Sequence, residues 1–286
     1  MPPMERMHRE PSHARTYLMC PPDYFAVEYA INPWMKTGEP VDLALAKSQW
    51  EQLRTTYLRL GHTVHTIGAV PGLPDMVFAA NGATVIGGTV LGARFKHQER
   101  YPEGPAYMDW FRRNGYRVVE PEDVNEGEGD IMFAGDAIIA GYGFRTELAA
   151  CAQAEAVFGL PTISLRLIDP RFYHLDTALI RLDENTAAYY PPAFDEPGQA
   201  ALAAHFGVLI EAKAADAEAL GLNGLSDGRN VVMPMQAEEL AHEISAAGFN
   251  VVPVDMSEFK KAGGGPKCCT LELREAGGTG GQSTDG

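Results

Sequence analysis

Two adjacent cysteines, Cys268 and Cys269, directly follow the glycine-rich segment AGGGPK, residues 262–267. The chain has 4 cysteines in all; the other two are Cys20 and Cys151, and no CxxC pattern occurs. Irregular spacing of this kind predicts neither a disulfide framework nor a structural zinc site. A thiol placed after a flexible loop, at the start of an apolar strand, is expected to be exposed. The pair is therefore a candidate for nucleophilic chemistry.

A second candidate segment is RFYHLDTALI, residues 171–180, which carries His174 and Asp176 two positions apart. In an extended strand these two side chains would share one face, and Leu175 would lie on the other. A histidine next to an aspartate is also a common structural pair. The segment alone therefore leaves a catalytic and a structural interpretation open.

Carboxylates cluster in NEGEGDIMFAGD, residues 125–136, where glycines separate Glu126, Glu128 and Asp130. The glycines allow a tight turn that would direct carboxylates into a cavity, although most acidic clusters are simply solvated. A thiol, a histidine and carboxylates are together the groups needed for thiol attack on a cationic carbon.

The composition limits the partners of the protein. The 286 residues include 23 basic and 38 acidic side chains, giving a formal net charge of -15. This charge would repel a phosphate backbone, so no nucleic acid partner is predicted, whereas a small cation would be attracted.

No apolar run reaches the ~20 residues needed to span a bilayer, and no signal peptide is evident, so the predicted location is cytoplasmic, without a membrane partner. A homo-oligomer is neither predicted nor excluded.

Two further motifs could suggest a metal site or a cofactor site. His62 and His65 are three positions apart, but they have no third ligand nearby and would face opposite ways in a strand. The segment GYGFRT, residues 141–146, lacks the third glycine of a dinucleotide-binding fingerprint. Neither a metal site nor a nucleotide cofactor is predicted.

Short apolar runs alternate with helical patterns and predict an α/β fold. The clearest helical patterns cover residues 41–61, 145–160 and 235–249. The predicted strands lie within residues 75–80, 83–88, 130–135, 136–141, 162–168, 177–182, 208–212, 230–235 and 250–256. No linker divides the chain, so one domain is expected over residues 15–274, between flexible ends at 1–14 and 275–286. No internal repeat is visible in the letters.

Four segments, LPDMVFAAN, EGEGD, HLD and GGGPKC, occur in the order found in the guanidino-group-modifying enzymes, the pentein superfamily. The chain resembles these arginine deiminases, dimethylarginine dimethylaminohydrolases, amidinotransferases and arginine dihydrolases from about residue 16 to 274. The resemblance implies a five-bladed α/β propeller with a central active site. It also implies a small-molecule substrate, arginine or a substituted arginine, and neither a metal nor an organic cofactor.

The resemblance further implies roles for the thiol and the histidine. Cys268, the first cysteine after GGGPK, matches the nucleophile, and Cys269 would lie on the opposite face of the strand. His174 matches the general acid and base.

The charged side chains also have counterparts in the family. Glu126 and Asp176 match the carboxylates that hold the guanidinium, with Glu126 preferred to Glu128 because it precedes the first glycine. Arg94 and Arg145 match the arginines that bind the carboxylate end of an amino acid.

Two asparagines resemble the arginine dihydrolase branch: Asn32, which precedes Pro-Trp-Met, and Asn81, which stands where deiminases usually carry aspartate. An amide both donates and accepts hydrogen bonds, so it can hold the neutral ureido group of citrulline as well as a guanidinium. Asn81-Gly82 is also a common turn dipeptide. The resemblance implies an arginine dihydrolase that forms ornithine, ammonia and carbon dioxide.

Two alternatives stay open. A dimethylarginine dimethylaminohydrolase or an arginine deiminase would stop at citrulline. A non-catalytic pentein, like the ribosome anti-association factors, would be a binding module, since a fold does not fix a function. Such a module would not need Cys268, His174 and Glu126, and the acidic charge disfavours a ribosomal partner.

Overall fold

A computed structural model describes residues 14–275; apart from Ala14 and Glu275, the predicted flexible ends lie outside the described residues. Within them, strands form five sheets of three strands each. The strands are β1 Thr16–Met19, β2 Thr63–Thr66, β3 Ala83–Ile86, β4 Thr89–Gly92, β5 Arg117–Val119, β6 Ile131–Phe133, β7 Ile138–Tyr142, β8 Thr162–Arg166, β9 Leu179–Arg181, β10 Thr186–Tyr189, β11 Val208–Glu211, β12 Leu225–Ser226, β13 Asn230–Pro234, β14 Asn250–Val254 and β15 Leu271–Glu272. The helices are α1 Leu43–Arg59, α2 Glu103–Arg113, α3 Leu148–Phe158, α4 Glu196–His205, α5 Ala214–Glu218, α6 Glu238–Ala246 and α7 Ser257–Lys260.

All five sheets share one topology, in which the middle strand has one antiparallel and one parallel neighbour. In order around the ring we call them blade 1 (β15-β1-β2), blade 2 (β3-β4-β5), blade 3 (β6-β7-β8), blade 4 (β9-β10-β11) and blade 5 (β12-β13-β14). A parallel neighbour requires a crossover connection, which α1, α2, α3, α4 and α6 supply in turn.

Burial decreases across each blade. The antiparallel strands β3, β6, β9, β12 and β15, which we call the inner strands, are almost entirely buried. The parallel strands at the other edge are mostly exposed or half-buried. The inner strands therefore line the centre of the ring, and the five-bladed α/β propeller implied by the resemblance is confirmed.

The predicted helices are confirmed, and α1 shows why they form. Asp42 caps its first turn by accepting a hydrogen bond from the main-chain N–H of Leu45 at 2.9 Å. Apolar side chains spaced three or four residues apart, including Leu53 and Tyr57, are buried against the blade. Gly61 follows the helix at a φ of 89°, a conformation that glycine adopts easily. None of the described helices is long and apolar enough to cross a membrane.

Blade 1 closes the ring because it combines both ends of the described chain. Strand β15 pairs with β1, and the main-chain N–H of Leu273 donates to the carbonyl of Thr16 at 2.8 Å. A second link joins blades 1 and 5, where His62 Nε2 lies 3.3 Å from Asp227 Oδ2, both side chains being buried.

One predicted strand is wrong. Residues 75–80 form parts of two 3₁₀ helices, Pro74–Val77 and Ala79–Gly82. The run is apolar because these turns are buried, and burial alone does not distinguish a turn from a strand.

The strand expected around His174 and the strand position expected for the cysteines are also wrong. His174 is extended, but Asp176 belongs to the 3₁₀ helix Leu175–Thr177. Cys268 and Cys269 lie in a turn, with the main-chain N–H of Cys269 donating to the carbonyl of Gly265, and β15 begins only at Leu271.

A turn precedes the inner strand of every blade. The inner strands begin at residues 83, 131, 179, 225 and 271, so a turn enters the centre of the ring at nearly even intervals. The repeat is structural and is hidden in the sequence because each turn carries different side chains.

We expect Asp227→Asn to reduce the acid sensitivity of the fold. Burial raises the pKa of Asp227, but hydrogen bonds from His62, Asn230 and nearby main-chain N–H groups outweigh it and hold the pKa at about 2. Because an unfolded aspartate titrates near ~3.9, this stabilisation is present above about pH 4 and is lost as the pH falls toward 2.

Urea unfolding at pH 5 and pH 2.5 tests this expectation. The wild-type free energy of unfolding should fall by ~2 kcal/mol more than that of Asp227→Asn. Asp109→Asn, at an exposed ion pair with Arg113, should follow the wild type. Equal losses in wild type and Asp227→Asn would contradict the role of this link.

Candidate active site

A narrow cavity lies at the centre of the ring, where the inner strands begin. Its polar lining residues are Asn32, Asp75, Asn81, Arg100, Arg145, Tyr173 and Cys268. Each blade contributes at least one polar side chain from the segment before its inner strand, and these include Asn81, Glu126, Asp176, Asn223 and Cys268. The five-fold arrangement thus brings together groups that are far apart in the sequence.

The thiol of Cys268 is not exposed as expected, because the side chain lies in the cavity wall and only 2% of the residue is accessible. Its Sγ lies 3.3 Å from Asp176 Oδ2 and 3.0 Å from Asn223 Nδ2. Burial and the charge of Asp176 raise the pKa of Cys268 well above its usual range. In this arrangement the thiol is therefore protonated.

Asp176 is the carboxylate nearest to the thiol. Burial raises its pKa to about 7, although Lys267 and the hydrogen bonds of Cys268 and Asn223 act in the opposite direction. A cation that entered beside Asp176 would favour its ionised form.

Glu126 and His174 form a second pair of buried groups at the site. His174 Nε2 lies 2.7 Å from Glu126 Oε2. Burial opposes ionisation of Glu126, but Arg145, His174 and Arg100 together hold its pKa far below the usual range. An ionised carboxylate only accepts, so Nε2 of His174 carries the proton, and Nδ1 has no partner among the described residues. Asp130 fixes this turn by accepting from the main-chain N–H of Leu175 at 2.9 Å.

Arg145 connects Glu126 to the cavity wall. Its Nη1 donates to Glu126 Oε2 at 2.9 Å, and its Nη2 donates to the carbonyl of Ile31 at 2.9 Å. The guanidinium lies 4.7 Å from the ring centre of Tyr173, whose hydroxyl donates to the carbonyl of Gly263. This stacking holds Arg145, which together with His174 bonds directly to Glu126, while Arg100 Nη1 lies 3.9 Å from Glu126 Oε2.

Glu128, the alternative acid, belongs to a different network. It accepts from Lys267 Nζ at 2.7 Å, from the main-chain N–H of Glu272 at 3.0 Å, and from Arg274. The structure thus places Glu126, and not Glu128, beside His174.

Asn81 lies next to Arg100, a residue that the sequence analysis did not select. Arg100 Nη1 donates to Asn81 Oδ1 at 3.0 Å, and the rest of its guanidinium forms two bonds with Glu103 and one with the carbonyl of Asp75. Asp75 accepts from the Tyr29 hydroxyl through Oδ2, while its buried Oδ1 has no partner among the described residues.

Asn32 lines the cavity, but its amide is largely occupied by the main chain. Oδ1 accepts from the N–H groups of Trp34 at 2.9 Å and Met35 at 3.2 Å, and Nδ2 donates to the carbonyl of Ala262. It therefore ties the Pro-Trp-Met turn to the glycine loop.

Arg94 is not brought to the cavity. Its main chain pairs with Asn125 just after β4, and its exposed side chain donates to the carbonyl of Glu122. The bridge to Asn125 directs the side chain outward, and the buried arginines at the cavity are Arg100 and Arg145.

Three groups at the site, Arg100, Asp75 and Asn223, are not predicted from the sequence, for different reasons. Arg100 stands in the polar segment KHQERYPEG, which is typical of a surface loop. Asp75 fell within a predicted strand. Asn223 was detectable, because LNG repeats the Asn-Gly pair of Asn81. Among the described residues, no group of three or more His, Cys, Asp or Glu side chains has the geometry of a metal site.

The glycine loop is explained by close packing rather than flexibility. A Cβ on Gly264 would lie 2.3 Å from the Phe78 ring, and one on Gly265 would lie 2.9 Å from Asn223 Oδ1. The loop must therefore lack side chains for Cys268 to reach its position.

No protein-family model matches the chain. An N(G),N(G)-dimethylarginine dimethylaminohydrolase of Mycobacterium tuberculosis is 52% identical over 265 residues, which cover 93% of this chain and 88% of that protein. The bifunctional arginine dihydrolase/ornithine cyclodeaminase ArgZ of Synechocystis is 38% identical over 267 residues, which cover 90% of this chain but only 37% of that protein.

Solved structures of an arginine dihydrolase and of a dimethylarginine dimethylaminohydrolase are also similar to this chain. The N-terminal domain of ArgZ, an arginine dihydrolase of cyanobacteria bound to substrate, superimposes with a TM-score of 0.87 at 37% identity, covering 91% of this chain and 98% of that one. A dimethylarginine dimethylaminohydrolase adduct with S-methyl-L-thiocitrulline has a TM-score of 0.77 at 21% identity, covering 91% and 100%, and shares the fold.

We expect Gly264→Ala to destabilise the protein, because the Phe78 ring cannot move aside easily. This ring packs against Phe25 and Phe259, with centroids 5.8 and 6.4 Å away. Overpacking of this kind costs ~1–3 kcal/mol, which corresponds to a fall in melting temperature of several degrees. Gly38→Ala, where a Cβ meets nothing within 4 Å, is the matched control. Equal melting temperatures for the two variants would contradict the packing argument.

Proposed function

The chain belongs to the guanidino-group-modifying enzymes of the pentein superfamily and is a hydrolase of arginine-type guanidino groups; on this basis we propose that it is an arginine dihydrolase. Arginine would lose ammonia to give citrulline, and citrulline would be hydrolysed in the same site to ornithine, ammonia and carbon dioxide.

The orientation of the Asn81 amide carries this proposal. Arg100 has no acceptor atom, so the group facing its Nη1 at 3.0 Å must be the carbonyl oxygen of Asn81. The Nδ2 group then faces the other way, with one long contact of 3.4 Å to the carbonyl of Glu126. Asn81 therefore offers a donor to a bound group. A ureido oxygen can accept from it, whereas a guanidinium has only donors.

Cys268 is the proposed nucleophile in both steps. The positive charge of a bound guanidinium would offset Asp176, which lies 3.3 Å from Sγ, and would favour the thiolate. The thiolate adds to the guanidinium carbon, the C–N bond to the terminal nitrogen breaks, and ammonia leaves. Water then adds to the thiouronium carbon, and the thiolate leaves to give citrulline. A second attack of the thiolate on the ureido carbon expels a second ammonia, and a second water releases the thiolate and a carbamate that breaks down to ornithine and carbon dioxide.

His174 is the proposed general acid and base. Glu126 binds Nε2 at 2.7 Å and fixes the ring, which leaves the unpartnered Nδ1 for the substrate. A proton on Nδ1 can pass to the leaving amine, and the neutral nitrogen can then activate water.

Arg145 and Asp75 are proposed to hold the amino-acid end. Arg145 uses two of its nitrogen atoms in the unliganded site and lines the cavity, while Asp75 has a free Oδ1. A substrate carboxylate and ammonium would complement these charges.

Arg100 is nearly saturated by Glu103, Asp75 and Asn81, so its proposed role is to orient Asn81. Binding of the substrate carboxylate, which was expected of the exposed Arg94, is therefore assigned to Arg145.

A dimethylarginine dimethylaminohydrolase is the second candidate. The relative that is 52% identical carries that name. Such an enzyme would release dimethylamine from dimethylarginine and stop at citrulline.

A time course distinguishes the two candidates. With arginine as substrate, we expect ornithine to accumulate with two molecules of ammonia per arginine, because Asn81 retains citrulline. Purified protein is incubated separately with arginine, citrulline and dimethylarginine, and the amino acids and amines are quantified. Turnover of dimethylarginine alone, or arginine ending at citrulline, would exclude a dihydrolase.

We expect Asn81→Asp to impair the second step more than the first. The substitution replaces the Nδ2 donor with a carboxylate oxygen, which repels the ureido oxygen but pairs with a guanidinium. Loss of a single hydrogen bond of ~1.4 kcal/mol changes a rate about tenfold, so citrulline should accumulate during arginine turnover. Equal slowing of both steps would show that Asn81 does not discriminate between them.

We expect Cys268→Ser to abolish turnover and Cys269→Ala to retain substantial activity. Cys269 is fully buried and bonds the carbonyl of Gly265 through its main-chain N–H, whereas the sulfur of Cys268 contacts both Asp176 and Asn223. Steady-state assays of the two purified variants, with melting temperatures as a folding control, provide the measurement. The reverse pattern of activity would identify Cys269 as the nucleophile.

A further inference from the structure

Asn223, which the sequence alone does not single out, contacts both the sulfur and the main chain of Cys268. Its Nδ2 donates to Cys268 Sγ at 3.0 Å and to the carbonyl of Asp176 at 3.0 Å. Its Oδ1 accepts from the main-chain N–H of Cys268 at 3.1 Å. The side chain is completely buried. One amide thus holds both the sulfur and the main chain of Cys268, as well as the turn that carries Asp176.

The orientation of this amide is determined by its neighbours. The main-chain N–H of Cys268 can only donate, so it must face the carbonyl oxygen of Asn223. The carbonyl of Asp176 can only accept, so it must face Nδ2. Both constraints leave an N–H group pointing at Sγ. A donor in this position interacts more strongly with a thiolate than with a thiol.

We infer that Asn223 is a catalytic residue that stabilises the thiolate of Cys268 by an Nδ2–H···Sγ hydrogen bond. The inference rests on the proposed function of Cys268 as nucleophile. The two neighbours of the sulfur then have opposite effects. The Asp176 carboxylate favours the protonated thiol, and the Asn223 amide favours the thiolate. When a cationic substrate offsets Asp176, the amide remains as a fixed donor to the reacting sulfur.

The surrounding structure holds the amide in place. Gly265 leaves no room for a side chain, because a Cβ there would lie 2.9 Å from Asn223 Oδ1. The carbonyl of Asn223 accepts from the main-chain N–H of Lys267, which binds the same loop a second time. Burial and Asp176 raise the pKa of Cys268, and the bond from Asn223 lowers it. The donor is therefore preorganised and does not have to move during the reaction.

The test measures the reactivity of the thiol without any turnover. The wild-type protein, Asn223→Asp and Asn223→Ala are treated with iodoacetamide between pH 7 and pH 10, and modification at Cys268 is followed by mass spectrometry. Asn223→Asp keeps the shape but replaces the donor with an acceptor. Asn223→Ala removes the donor and opens space beside the sulfur. We expect both variants to react at least about tenfold more slowly at a given pH, with the larger loss in Asn223→Asp.

The two variants distinguish an effect on thiolate stability from an effect on the access of iodoacetamide to the sulfur of Cys268. If access controlled alkylation, the wider site of Asn223→Ala would react faster than the wild type. Gln49→Ala is the matched control, because Gln49 is a buried amide that bonds Asp255, Ser257 and the main chain of Glu258 and touches no group of the site. It should lower the melting temperature without changing alkylation of Cys268.

An alkylation rate in folded Asn223→Ala or Asn223→Asp that equals or exceeds the wild-type rate would overturn the inference. Either variant suffices if the other does not fold. Because arginine is absent from the assay, a protein that stops at citrulline would refute the dihydrolase proposal and leave this result intact.

Discussion

The pairing of β15 with β1 is the constraint on which the rest of the molecule depends. It joins the two ends of the described chain and completes blade 1. The same strand begins three positions after Cys268, so closing the ring also delivers the thiol to the centre. The partners of the thiol, Asp176 and Asn223, belong to the turns of blades 4 and 5. The thiol therefore acquires its environment only when the ring is closed.

The centre of the ring concentrates charge that would be costly in isolation. Glu126 is fully buried, yet Arg145, His174 and Arg100 surround it and keep it ionised. Asp176 has no comparable set of cations, and its pKa is about 7. This imbalance leaves a carboxylate next to the thiol that a cationic substrate would neutralise. The acidic chain as a whole adds a long-range attraction for such a substrate.

Two buried amides complement these charges. Asn81 is oriented by Arg100, and Asn223 is oriented by the main chain of Cys268. Because the partner in each case can only donate, each amide presents its N–H groups in a fixed direction. A neutral donor held in this way suits an acceptor such as a ureido oxygen, whereas a guanidinium, which has only donors, requires a carboxylate.

The sequence by itself determined the α/β class, the three clearest helices and most strands, since apolar periodicity reports burial directly. Through the order of its motifs it also indicated the propeller and the types of side chain at its centre. It did not determine the turns, because the apolar run at residues 75–80 and the segment around Asp176 have the composition of buried strands.

Only the tertiary structure decided which charged residues meet. Glu126 and Glu128 are two positions apart, but one contacts His174 and the other contacts Lys267. Arg94 and Arg100 are equally polar in sequence, yet the bridge to Asn125 turns the first outward and burial beside Glu103 brings the second to the cavity. Such choices depend on contacts between blades that are distant in the sequence, and no local pattern records them.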